Sequence, residues 1–107
     1  MKTIQITCNL DEHRAFNTIV KLGIGTNCED IITAIFLHQN LIEITCKLLK
    51  AKKLKSGLLS FTLNHNHALC IALLYDFTVK GKPQYLYECS VIESMLLLPA
   101  NKMLELN

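Results

Sequence analysis

Twice in this chain a short β-rich run ends in a capping residue and passes into a helix-like pattern, a recurrence that narrows the fold sharply. Lys2 to Cys8 is rich in β-branched residues and alternates as a strand does. Asp11 then reads as a helix N-cap, with Leu10 and Ala15 spaced as a weak hydrophobic staple around it. Leu58 to Leu63 reads as a second strand, and Leu63-Asn64 repeats the apolar-capping pair Leu10-Asp11. Ala15-Phe16 and Ala68-Leu69 follow those pairs at the same distance. Shared capping chemistry and an old duplication both account for such a match. Either way, the two strands are expected side by side with helices against one face.

The segments between fill in the rest. The first helix places Ala15, Phe16, Ile19, Val20 and Leu22 on one side, and Gly23 is expected to end it in a left-handed cap. Gly23 to Asn27 is a loop, after which Thr26 and Glu29 have capping-box spacing. From Cys28, the apolar positions Ile31, Ile32, Ile35, Phe36, Ile42, Leu48 and Leu49 predict helix to about Lys55, in one piece or two broken near His38–Asn40. The β-branched run Ile42–Thr45 would also suit a strand. Gly57 stops the element, and a third helix is expected from Asn66 to Tyr75. Asp76 to Cys89 reads as a hairpin around a Gly/Pro turn, with a helix entering at Pro83 as the alternative. Ser90 and Glu93 again have capping-box spacing, and Val91–Leu98 reads as a short helix stopped by Pro99. The expected fold is α+β: one domain over residues 1–107, with a small, mostly antiparallel sheet packed against several helices and two strand-helix units.

Half of the 107 residues are hydrophobic and only 19% are charged. A domain of this size buries roughly two thirds of its extended surface, so the apolar excess predicts a homo-oligomer, a dimer first. The formal charge of +2 is too small to imply a polyanionic partner by itself. No uninterrupted apolar stretch approaches the roughly 20 residues of a membrane span, so no membrane is expected; Ala68–Tyr75 is short enough for a buried helix. The acidic pair Asp11-Glu12 precedes any long apolar run, unlike a secretory signal. Five scattered cysteines, Cys8, Cys28, Cys46, Cys70 and Cys89, read as free thiols in a reducing compartment and point to a cytoplasmic protein.

No polar cluster assembles a catalytic or cofactor-binding set. The densest charge feature is the lysine group Lys47, Lys50, Lys52, Lys53 and Lys55. On a helix Lys47, Lys50 and Lys53 would share a face while Leu48, Leu49 and Leu54 point inward. As a functional site it would contact nucleic-acid phosphates without reading sequence; the plainer reading, which is preferred, is a solvated helix end whose cations suit the dipole. A helix-turn-helix over residues 12–38 would send an acidic, then apolar helix into the major groove, a poor reader of DNA. His65 and His67 in Asn64–His67 lack companion ligands at metal-binding spacing, and capping a helix entrance suits them better than a metal. Gly23 and Gly25 lack the spacing of a phosphate loop. Cys70 and His67 are close enough on a helix to meet, yet a buried small thiol explains Cys70 more simply. Tyr85 and Tyr87, on one face of the expected hairpin, and Met95, Leu96 and Leu98, on the last helix, are candidate contact residues.

These readings lead to an interaction or regulatory module that binds without turnover and needs no cofactor or metal. A nucleic-acid-associated protein using the lysine group is the first alternative, and a small enzyme with a site assembled from distant residues is the second.

Overall fold

In β1 (Thr3–Cys8), Ile4, Ile6 and Cys8 alternate inward while Thr3, Gln5 and Thr7 face solvent, the period-two pattern of a half-buried strand. The computed structural model describes residues 3–26 and 28–100. β1 runs directly into helix α1 (Leu10–Ile24), and helix α2 (Ile31–Leu49) follows. A two-residue strand β2 (Lys52–Lys53) turns back on β3 (Leu59–Asn64), which leads into α3 (His65–Thr78). A 3₁₀ turn (Pro83–Tyr85), α4 (Leu86–Ile92) and a π-helical turn (Glu93–Leu97) complete the described chain.

The fold is α+β, as the sequence predicts: a three-stranded antiparallel sheet in the order β1-β3-β2 packed against four helices. β1 and β3 pair along their whole length, from Thr3 with Asn64 to Cys8 with Leu59. One continuous core joins the inner face of this sheet to all four helices, with Phe16, Ile19, Ile44, Leu63, Ile71, Leu74 and Ile92 at its centre.

The two strand-helix units are present, but their alignment differs from the sequence reading. Asn9, not Asp11, caps α1; its side chain accepts from the Glu12 N–H at 2.8 Å while Glu12 reaches back to the Asn9 N–H at 2.9 Å. Asn64 caps α3 in the same way, with His67 in the place of Glu12. Reciprocal closure satisfies two otherwise orphaned helix donors, an advantage Asp11 would not gain. Asp11 instead sits in the first turn, paired with Arg14 at 3.5 Å.

Laying Asn9 on Asn64 carries Ala15, Phe16, Ile19, Val20 and Gly23 onto Cys70, Ile71, Leu74, Tyr75 and Thr78. Those are the five buried positions of α1, and every counterpart in α3 is buried too. The same offset starts α2 at Ile31 and α4 at Leu86, and it carries Leu37 and Leu41 onto Ile92 and Leu96, all four in the core. Ile6 and Phe61 correspond under it and are also direct partners in the sheet, so an approximate twofold axis passes through that pair.

Further expectations are corrected. Gly23 is not a left-handed cap: it lies within α1, where its missing side chain admits Leu74. A Cβ there would come within 2.8 Å of both Leu74 methyl carbons. Asp30, rather than Thr26 with Glu29, caps α2, its carboxylate accepting from the Thr33 N–H at 3.0 Å. α2 is one helix and ends at Leu49 instead of near Lys55. Gly57, at φ +88°, allows the chain to fold back, so that Lys52 and Lys53 pair with Ser60 and Leu59. Two lysines also make a short, charged edge strand that resists further pairing.

Residues 76–89 are helical, not a hairpin. Thr78 ends α3, Gly81 takes φ +77°, and Pro83 opens the next turn at its first position. A Gly/Pro pair punctuates helix-to-helix passage as well as it does a hairpin. Ser90 is inside α4, not a cap, its helix having begun at Leu86. Helical backbone continues through Pro99 to Ala100 after the π turn, in which the Leu98 N–H reaches back to the Glu93 carbonyl.

Candidate interaction face

α2 is apolar on opposite sides. Its inner side sends Leu37, Asn40, Leu41, Ile44 and Leu48 into the core. Asn40 is accommodated there because its amide donates to the Phe36 carbonyl at 2.8 Å. The outer side carries Ile32, Ile35, Gln39, Ile42, Cys46 and Leu49, all exposed. Their spacing is 3-4-3-4-3, the spacing of a helix seam that meets another helix. Ile32 is 75% exposed, Ile35 53%, Ile42 55% and Leu49 80%. Ile24 and Ile31, also exposed, widen the strip. A groove of about 580 Å³ runs beside it between the end of α1 and α2, lined by Gly23, Ile24, Cys28 and Leu37 and sharing Ile42 and Cys46 with the seam.

α2 has 19 residues and is, by length and composition, apolar enough to cross a membrane; among the described residues it is the one such helix. Its inner side is occupied by protein, so the outer strip is the part left without a partner among the described residues. In the sequence Ile31, Ile32, Ile35, Ile42 and Leu49 form one helical pattern with Leu48. Within that pattern are two interleaved stripes on one helix, which require two coverings.

The other nominated residues are dispersed. All five lysines are exposed, and among the described residues none forms a salt bridge. Lys47 is in the last turn of α2, Lys50 is its C-cap, Lys52 and Lys53 lie in β2, and Lys55 is in the turn beyond. The helical face expected for Lys47, Lys50 and Lys53 is therefore not formed. Tyr85 is half-buried against the core, and Tyr87 borders a recess with Asp11, Arg14 and Glu88. The two tyrosines do not share a strand face, since no strand exists there. Met95 is partly buried, Leu96 is fully buried in the core, and Leu98 is exposed. Of that trio, Leu98 alone offers a free surface.

His67 is buried and fully engaged. Its Nδ1 accepts from the Asn64 N–H at 3.2 Å, which leaves the ring proton on Nε2 to donate to Glu43 at 2.9 Å. This is capping with a tie across to α2, and it leaves no lone pair for a metal. Cys70 lies in the core with its thiol aimed at the Leu37 carbonyl at 3.9 Å. His13, which looks isolated in the sequence, joins α1 to the end of α2 through the Leu48 carbonyl at 2.9 Å. Among the described residues no group of three His, Cys, Asp or Glu is placed to hold a metal ion.

No family model, curated protein or solved structure matches this chain.

The cysteines sort sharply by reactivity. Burial, with Glu12 nearby, pushes the Cys8 thiol up to about 11, and burial pushes Cys70 up to about 12. Burial also raises Cys89. A raised thiol pKa holds the unreactive protonated form at pH 8. In dilute native protein at that pH, a thiol reagent is expected to modify Cys46 first and half-buried Cys28 next. Cys8, Cys70 and Cys89 should react only after denaturation, giving two accessible thiols against five. A third thiol reacting at the rate of Cys46 would contradict this burial pattern.

Proposed function

We propose that this protein is an interaction module that acts by binding, self-associates and carries out no turnover, with the outer face of α2 as its contact surface. The carrying observation is the apolar seam on α2 directly opposite its core-facing side. Isolated exposed apolar residues are ordinary, whereas a contiguous strip along five helical turns is characteristic of an interaction surface. The charged residues beside it, Lys47 and Lys50, suit the rim of such a contact. The chemistry elsewhere fits binding: the buried histidine and thiols are committed to caps and core.

Light scattering coupled to size-exclusion chromatography over a concentration series tests the reading. The unmodified chain is expected at a small multiple of 12.1 kDa. Ile42→Glu, at a position more than half exposed, should leave the thermal midpoint nearly unchanged and weaken association by about 30-fold or more, the effect of losing one central contact. A chain that stays at 12.1 kDa at the highest concentration would refute self-association through this face.

A further inference from the structure

Resting on that reading, we propose that the partner on α2 is a second copy of this chain, with the two α2 helices packed antiparallel. The seam is self-complementary when reversed. Ile32 meets the partner's Leu49, Ile35 meets the partner's Cys46, and Gln39 meets the partner's Ile42; the twofold generates the same layers in the other direction. All six positions are exposed in the single chain, and alternating 3-4 spacing is what two helices need to interlock. Such an isologous contact closes as a dimer and leaves no sticky end.

Charge decides the direction. Glu29 and Asp30 flank the N-terminal end of α2, while Lys47 lies in its last turn, Lys50 caps it and Lys52 and Lys53 follow in β2, all exposed. Antiparallel packing lays each acidic end beside the partner's lysines and opposes the helix dipoles favourably. Parallel packing would crowd lysines against lysines, acids against acids and Cys46 against its own counterpart.

The test joins thiols across the seam. Ile35→Cys in a Cys28→Ser background leaves native Cys46 as the opposing thiol. Under diamide, at a concentration where light scattering shows the dimer, mapping of joined peptides is expected to find residue 35 linked to residue 46 and almost no Cys46–Cys46 product. Within one chain those positions are eleven residues apart along the helix, about 16 Å, too far for a disulfide. Ile32→Cys with Leu49→Cys in a Cys28→Ser, Cys46→Ser background repeats the measurement at the ends of the seam. A dimer that yields Cys46–Cys46 instead, or no linkage from either pair, overturns the antiparallel arrangement and leaves the interaction face standing. A chain that is monomeric and instead floats with lipid vesicles overturns both.

Discussion

Leu74→Ala is expected to cost about 3–5 kcal/mol, the upper part of the range for truncating a buried leucine. Leu74 is completely buried, and it fills the space left by the absent side chain of Gly23. A glycine backbone has nothing with which to refill that cavity. Gly23→Ala should also destabilise. Its new Cβ would press to 2.8 Å on two Leu74 carbons, costing about 1–3 kcal/mol for overpacking, against about 1 kcal/mol gained in helix propensity. The decisive result is the double variant, in which alanine at 23 occupies part of the cavity made at 74. Urea unfolding should show it to be more stable than the sum of the single changes predicts, by more than about 0.5 kcal/mol. Simple additivity would mean that the two residues do not share a space.

Phe16→Ala is the second large effect, at about 3–5 kcal/mol. Phe16 meets Phe61 edge-to-face, with ring centroids 5.5 Å apart and planes at 85°. His13 meets the same phenylalanine edge-to-face at 6.1 Å. Phe16 therefore anchors α1 to β3 close to the approximate twofold axis. A double-mutant cycle with Phe61→Leu should recover an aromatic coupling of about 0.5–1.5 kcal/mol beyond the area lost. Zero coupling would reduce Phe16 to generic apolar filling. Since domains of this kind are stable by about 5–15 kcal/mol, both experiments are best begun where the parent is well folded.

The legible parts of the fold were those written in local chemistry. β1 alternates cleanly, Leu59–Asn64 is rich enough in apolar residues to be seen as a strand, and Asn64 sits where a cap should. Local chemistry misled where one residue pattern serves two structures. Gly81 and Pro83 suit a hairpin turn and a helix junction alike, and the choice falls to whether Cys89, Val91 and Ile92 find a core. Asp11 and Asn9 are both good caps, and Glu12 three residues after Asn9 selects between them. The lysine run kept its charge but lost its expected helix, because Gly57 and the waiting edge of β3 offered Lys52 and Lys53 another partner. The α2 face was hidden for a different reason. Ile31, Ile32, Ile35 and Ile42 carry the same apolar character as the core, and only the position of α1 and α3 around α2 reveals which side is already covered.

The pairing of β1 with β3 has a consequence during synthesis. β1 is made first, yet its sole hydrogen-bonding neighbour among the described residues, β3, begins at Leu59. At translation rates of about 5–20 residues per second, β1 waits for several seconds before that neighbour exists. Through that interval the helices α1 and α2 can close locally, whereas Ile4, Ile6 and Cys8 have no sheet to join. A nascent chain halted before β3 should thus hold helical structure while its first strand stays exposed to any complementary edge, including that of a neighbouring ribosome's product.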